Sequence, residues 1–259
     1  MTQTSTSCKN CGATLAGNFC QNCGQKSDVH PITLKHLLHE FFHALTHADK
    51  GILFLVKELL YRPGVVAVEY LDGKRKKYFN PLSFLVIATA VWALIVLKSG
   101  YFESMGTGSP GGSGGRSYRM PEELAFYFSQ SMKIILVYGK FISLIITVPL
   151  LSLLTWMFFR KRKRSYAENL VLQALLIGEM HLMLALIFVP AFLLFGHARI
   201  NNYVYQLVFL AYLAIAYHQC FKEHVIVTIL KTILVQALFI AFFWLSIFAF
   251  VFVREQLFH

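Results

Sequence analysis

The hydrophobic pattern divides the chain near residue 80 into a mixed-polarity head and a tail of long apolar runs. In the tail, near-continuous apolar segments cover 82–97, 141–159, 170–195 and 203–221, and a last one starts between Val225 and Thr232 and reaches Val253. Their length and lack of charge predict membrane-spanning helices. Pro149 and Pro190 fall inside two of them, and each is expected to kink its span. Residues 100–115 are rich in Gly and Ser without periodicity and read as a flexible loop. After it, Pro121-Glu122-Glu123 opens a helix leading into the second span, with Lys133 and Lys140 on one face, where both can snorkel to an interface.

The head carries a different period. Leu34, Leu37, Leu38, Phe41, Phe42 and Leu45 recur at helical spacing and form one apolar face, while His36, His39, His43 and His47 fall opposite. Such an amphipathic helix is suited to lie in a membrane interface. Residues 51–61 and 65–71 are apolar but too short to span, and Arg62-Pro63-Gly64 separates them, so they read as interfacial or re-entrant helices. Then comes the run Lys74-Arg75-Lys76-Lys77, followed by Tyr78-Phe79-Asn80-Pro81. Cations, then aromatics, then a proline opening an apolar helix mark a collar at a membrane boundary.

Composition agrees with this division. Of 259 residues, 56% are hydrophobic and 14% charged, whereas soluble domains carry about 25% charged residues. The net charge of +11 would suit nucleic acid if the cations were spread over a folded surface. They are instead concentrated at Lys74–Lys77 and at 160–164, beside apolar segments, which argues against nucleic acid and for topology signals and anionic-lipid contacts.

Four of the five cysteines form two copies of one knuckle, Cys8-Lys9-Asn10-Cys11-Gly12 and Cys20-Gln21-Asn22-Cys23-Gly24. Each places two thiolates on one tight turn, and the trailing glycine lets the backbone fold back so that its amides face the sulfurs. Two such turns supply a closed tetrahedral site, so Cys8, Cys11, Cys20 and Cys23 are expected to hold a structural Zn2+. No secretory signal precedes them, so a reducing compartment, and metal rather than disulfides, is expected. Cys220 reads as apolar packing at a span end.

Two further features suggest chemistry. His39-Glu40-Phe41-Phe42-His43 spells H-E-x-x-H, the zincin pattern, in which two histidines share a zinc and the glutamate activates its water. Yet these histidines oppose the only apolar face of their helix, whereas a zincin helix lies beneath a cleft. They therefore read as a solvated or headgroup-facing surface, and a third ligand would have to come from unassigned candidates such as Glu58 and Glu69. The second feature is Glu179, about 14 Å deep when counted from Leu170 at about 1.5 Å per residue. A charge there costs about 2.5–3.5 kcal/mol, so the side chain must face the bundle interior or be neutral. His181 lies too far around the helix to partner it easily, and Gln236 reaches similar depth if the last helix starts near Val225 but lies shallower if it starts near Thr232. Either an interhelical hydrogen bond or a proton- or ligand-binding site would satisfy it.

The doubled knuckle, together with His47–Gly51, Glu58-Leu59-Leu60-Tyr61-Arg62-Pro63-Gly64 and Glu69-Tyr70-Leu71-Asp72-Gly73-Lys74-Arg75-Lys76-Lys77-Tyr78-Phe79-Asn80-Pro81, resembles a bacterial membrane family of unknown function, domain 3667. The resemblance covers Cys8 to the first span. It implies a zinc-ribbon-headed multi-pass membrane protein and no particular activity.

The expected fold is mostly α, a polytopic helical membrane bundle of about five spans with a small amino-terminal zinc ribbon and juxtamembrane amphipathic helices. Three parts follow: a ribbon at 1–28, interfacial helices at 29–79, and a transmembrane domain at 80–259 with an external Gly-rich loop at 99–120. Charge bias orients the amino terminus to the cytoplasm of an inner membrane and the carboxyl terminus outside. Expected partners are the bilayer, anionic headgroups at the basic runs and a protein at the ribbon. A homo-oligomer is compatible with the pattern. The best functional expectation is a non-catalytic scaffold. The alternatives are a membrane metalloprotease using His39, Glu40 and His43, and a small transporter or lipid-handling protein built on Glu179. No P-loop and no G-x-S-x-G elbow occurs, so nucleotide hydrolysis and serine-hydrolase chemistry lack support.

Overall fold

A computed structural model describes residues 7–29, 31–34, 51–101, 141–160 and 164–258, together with residues 130 and 138. Among them the protein is a mostly-α membrane bundle, and β structure is limited to two isolated bridges in the cysteine module. The helices are α1 (Ile52–Tyr61), α2 (Pro63–Leu71), α3 (Pro81–Ser99), α4 (Val148–Phe158), α5 (Tyr166–Met183), α6 (Val189–Phe195), α7 (Ala198–Phe221) and α8 (Val225–Phe258).

Local chemistry sets the boundaries. Asn80 caps α3, its Oδ1 accepting from the amides of Leu82 and Ser83 at 2.9 and 3.2 Å, and Pro81 follows where its missing N–H is harmless. Ser165 and Glu168 form a reciprocal capping box that starts α5 one turn earlier than the apolar run suggests. Gly100 and Gly196 end α3 and α6 in the left-handed region. α7 starts at Ala198, before the apolar run that begins at 203, so only Gly196 and His197 separate it from α6. The last span starts at Val225, the earlier of its two expected limits.

The two proline kinks take a specific form. A π-helical segment, Ser143–Thr147, leads into α4 just before Pro149, and a second, Leu184–Phe188, leads into α6 just before Pro190. Proline lacks the amide that would close the normal turn, and a wider turn accommodates the gap. At the second, Asn201 donates to the Phe188 carbonyl at 2.6 Å.

α5 is the axis of the bundle. Every residue from Val171 to Met180 is buried, and α3, α4 and α2 pack around it. A Cβ at Gly178 would come within 2.7 Å of the Phe84 ring, so the absence of a side chain sets how closely α3 approaches. At the other extreme stands α8. Only 17% of its most apolar window is buried, against 67% for the α5–α6 unit. Its exposed Leu230, Ile240, Leu245 and Phe250 require an apolar surrounding, which a bilayer supplies. Among the described residues three helical units, Tyr166–Phe195, Ile200–Phe221 and Val225–Val253, are long and apolar enough to cross a membrane. The two remaining apolar segments, Pro81–Val96 and Leu144–Phe158, stand where the first two spans are expected but are shorter.

α1 and α2 form a platform at one end of the bundle. Gln219, near the end of α7, accepts from the Gly64 amide at 2.9 Å and so satisfies a donor that the start of α2 leaves open. At the other end of α2, Asp72 pairs with Arg164, just before α5, at 3.1 Å. Both anchors lie at the same end of the bundle, so α2 runs across the helix ends rather than along them. At that end Lys231, two turns into α8, is held by both carboxylate oxygens of Glu223 at 2.9 and 2.7 Å and lies 5.2 Å over the Phe159 ring.

Candidate metal centre

The two knuckles repeat one hydrogen-bond scheme at an offset of twelve residues. Cys8 N donates to Ala13 O and Cys20 N to Gln25 O, while Gly12 N donates to Cys8 O and Gly24 N to Cys20 O, all at 2.8 Å. Gly12 and Gly24 take positive φ angles of 76° and 71°, which a side chain would strain. Antiparallel bridges, Ser7 with Thr14 and Phe19 with Lys26, close each turn.

This repetition brings the sulfurs together. Sγ of Cys8 and Cys23 lie 3.6 Å apart, as do those of Cys11 and Cys20, and all four fall within 4.8 Å of one another. With metal–thiolate bonds near 2.3 Å, a regular tetrahedron has edges of about 3.8 Å, so the donor set fits a four-coordinate ion. The Gln25 amide, and after it the Asn10 side chain and the neighbouring thiols, pull the Cys23 thiol down to about 6 against the cost of burial. Cys20 is also lowered, first by the Cys23 amide. Against the pull of the Ala13 amide, desolvation and the surrounding thiols push Cys11 up to about 11. The first thiolates form readily and the last does so only against its neighbours' charge, the conflict that a bound cation removes.

The module rests on the collar. Gln25 Oε1 accepts from the Lys76 amide at 3.2 Å. Gly73, at φ 114°, leaves room beneath the Lys9 stem and Val29, and a Cβ there would come within 2.9 Å of Lys9 Cδ. Beneath this contact Glu69 gathers the collar. Tyr78 OH and Lys77 Nζ donate to its Oε2 at 2.6 and 2.8 Å, and Lys74 Nζ stands 3.2 Å from Oε1. Desolvation opposes the charge, but these bonds outweigh it and hold the carboxyl down at about 2. Arg62 bridges Glu58 and the same carboxylate, in contact with Glu58 and 3.9 Å from Glu69.

The structure thus assembles all four cysteines. It places both candidate third ligands for a protease in ion pairs, Glu58 with Arg62 and Glu69 with Lys74 and Lys77 of the collar. His39, Glu40 and His43 lie outside the described residues, as do Lys133 and Lys140. Glu179 is 1% exposed, and its Oε2 has no hydrogen-bond partner among the described residues. His181 turns away from it, hydrogen-bonded to Thr89 at 3.0 Å and stacked on Trp92. Gln236 is buried, and its Nε2 has no hydrogen-bond partner among the described residues. Buried polar contacts missed by sequence reasoning lie lower on α5: Gln173 Nε2 donates to Thr155 Oγ1 and Tyr217 OH, both at 2.9 Å. Gln25 was also missed. Its signal was the broken repeat, since Ala13 stands in the matching place of the first knuckle.

Fold and site together define a membrane helix bundle headed by a four-cysteine module that could hold a metal ion. Residues 49–92 match the model of a family described as protein of unknown function, DUF3667. The match runs from the platform into α3, narrower than the resemblance that begins at Cys8, and leaves the cysteines outside. No curated protein and no solved structure matches the chain.

Proposed function

We propose that the protein is a non-catalytic scaffold of a bacterial inner membrane, with a structural zinc ribbon docked on a cytoplasmic platform for a protein partner. The observation that supports this most is what the residues of the matched segment do. Arg62 and Glu58 pair, Gly64 admits the backbone of α7, Glu69 binds Lys74, Lys77 and Tyr78, Gly73 receives the ribbon, and Asn80 caps α3. Gly64, Glu69 and Gly73 hold one element against another, while the Glu58–Arg62 pair and the Asn80 cap fix the ends of α1 and α3. A closed four-thiolate site leaves no open position for water, and reducing surroundings favour zinc there. Its contribution is folding free energy for a module almost without a core.

The basic collar, Arg160 and Arg164, and Lys222 stand at the platform end, which supports an amino terminus in the cytoplasm and, with five crossings, an external carboxyl terminus. Reporter fusions after Lys77, Gly112, Arg164, Asn201, Glu223 and His259 should alternate in location; a cytoplasmic carboxyl terminus would overturn the topology. Co-purification in mild detergent tests the scaffold itself. Partners retained by wild type and by Glu40→Gln, but lost with the four Cys→Ser changes, support it. Cleavage of a co-purifying protein that stops in Glu40→Gln would put the protease first.

A second reading rests on Glu179, whose orphaned oxygen in the core of the bundle would suit a proton- or ligand-binding site.

A further inference from the structure

The four-cation run of the collar is divided in its use. Lys74 and Lys77 turn inward to Glu69, at 3.2 and 2.8 Å. Arg75 and Lys76 instead line a groove of about 760 Å³ between the collar and the ribbon, whose other wall includes Asn18, Gln25, Lys26 and Asp28. Three cations against one carboxylate leave a surplus of positive charge in this groove. Gln25 adds a directional donor. Only 6% exposed, it has its Oε1 fixed by the Lys76 amide, and its Nε2 has no hydrogen-bond partner among the described residues. A buried amide N–H without an acceptor is costly, and here the missing acceptor would lie beside three cations.

We propose that this groove binds a phosphate group, with Gln25 Nε2 donating to one oxygen and Lys26, Arg75 and Lys76 neutralising the charge. Guanidinium and ammonium groups together suit a tetrahedral oxyanion, and the volume admits a headgroup or a small polyphosphate as well as a bare ion. The groove is a few residues from Pro81, where α3 begins, so a lipid phosphate reaches it from the interface and a soluble phosphate from the aqueous side. The inference deepens the platform reading above, since an occupant would bridge ribbon and collar beside the Gln25–Lys76 bond.

The test uses the full-length, metal-loaded protein. Pyrophosphate is titrated by calorimetry, and fluorescent phosphatidylglycerol by anisotropy, both in neutral maltoside detergent free of other phospholipid. Binding of phosphatidylglycerol alone identifies a lipid headgroup, and binding of pyrophosphate alone a soluble ligand; either supports the site. Gln25→Glu keeps the acceptor for Lys76 and replaces the free donor with a negative oxygen, so it should weaken the bound probe about tenfold or more. Lys26→Gln with Lys76→Gln, both exposed side chains, should do the same. Lys222→Gln, an exposed cation outside the groove, should leave affinity within about twofold. Equal loss in Lys222→Gln, or binding of neither probe, overturns the proposal. Metal content, together with exchange protection of the Lys76 amide, reports separately on the platform. A failed groove with an intact platform is therefore distinguishable from failure of both.

Discussion

Gln25 Oε1 accepts the backbone amide of Lys76 at 3.2 Å, while the backbone of Gln25 itself closes the second knuckle, its carbonyl accepting from Cys20 N and its amide facing the Cys23 sulfur. One residue therefore belongs to the metal turn and to the contact with the collar. Gln25→Ala should leave metal content unchanged and release the Lys76 amide. One lost hydrogen bond is worth about 1 kcal/mol, or about fivefold faster hydrogen exchange at Lys76. Unchanged exchange would show that Gly73 and Lys9 hold the ribbon without Gln25.

Metal removal should reach the same amide from the other side. Four thiolates fold this module only with a cation between them, so a chelator that strips the ion should unfold both knuckles and expose Lys76. One zinc per chain is expected in the purified protein and none after the four Cys→Ser changes. The bundle should remain in the membrane in both cases, because α5 and its neighbours share no ligand with the ribbon. A variant without the cysteines that still held one zinc tightly would place the site elsewhere.

Glu69 gives the platform an acid limit. Its carboxyl is held at about 2, below the ordinary 4.5, by Lys77, Tyr78 and Lys74. A carboxyl lowered on folding contributes stability that is complete above about 4.5 and lost as pH falls toward 2. Glu69→Gln should cost about 1–3 kcal/mol near neutrality, since it leaves the cations around it without their shared acceptor. Thermal unfolding followed from pH 7 to pH 3 should show wild type and variant converging. A constant gap would mean that the charge of Glu69 is not what holds the collar.

Much of this arrangement was legible in the chain. Apolar length located the helical segments, and the doubled knuckle located the four sulfurs, because both signals are local and periodic. The capping box at Ser165 and Glu168 could have been read and would have moved the start of α5 back from Leu170. What stayed hidden was pairing between distant segments. Nothing near Gly64 announces Gln219, and nothing near Lys76 announces Gln25. A proline predicts a kink, but a π turn ahead of Pro149 and Pro190 depends on what the neighbouring helices allow.

Gly64 lies directly against the backbone of α7. A Cβ there would overlap the Ala216 carbonyl oxygen and press on Gln219 Cβ, neither of which can move without shifting α7. The same approach lets Gln219 reach the Gly64 amide at 2.9 Å. Gly64→Ala should thus lift α2 from α7 and break that bond together, at a cost of about 1–3 kcal/mol. Thermal stability in detergent reports the loss. Wild-type stability in Gly64→Ala would mean that α2 does not lie against α7.

Glu179 is buried at 1% exposure on the most enclosed helix of the bundle, and its depth decides what it can do. Counted from Tyr166 rather than Leu170, it lies about 20 Å along α5. Gly178 beside it has no side chain, so α3 closes over this stretch through Phe84 and Leu85. His181 is engaged with Thr89 and Trp92, which removes the nearest titratable neighbour on α5. Glu179 Oε2 therefore stands without a protein partner among the described residues, in a place where water enters only as part of a built site. Glu179→Gln keeps the size and the hydrogen-bonding capacity and deletes the titration. If the carboxyl serves only packing, the variant should match wild type in thermal stability and in partner retention. If it is a proton- or ligand-binding site, stability should hold while cellular function is lost, and Glu179→Asp should restore part of it. A Glu179→Gln protein that misfolds while Glu179→Leu folds would contradict both, since it would show that the site rejects any polar group.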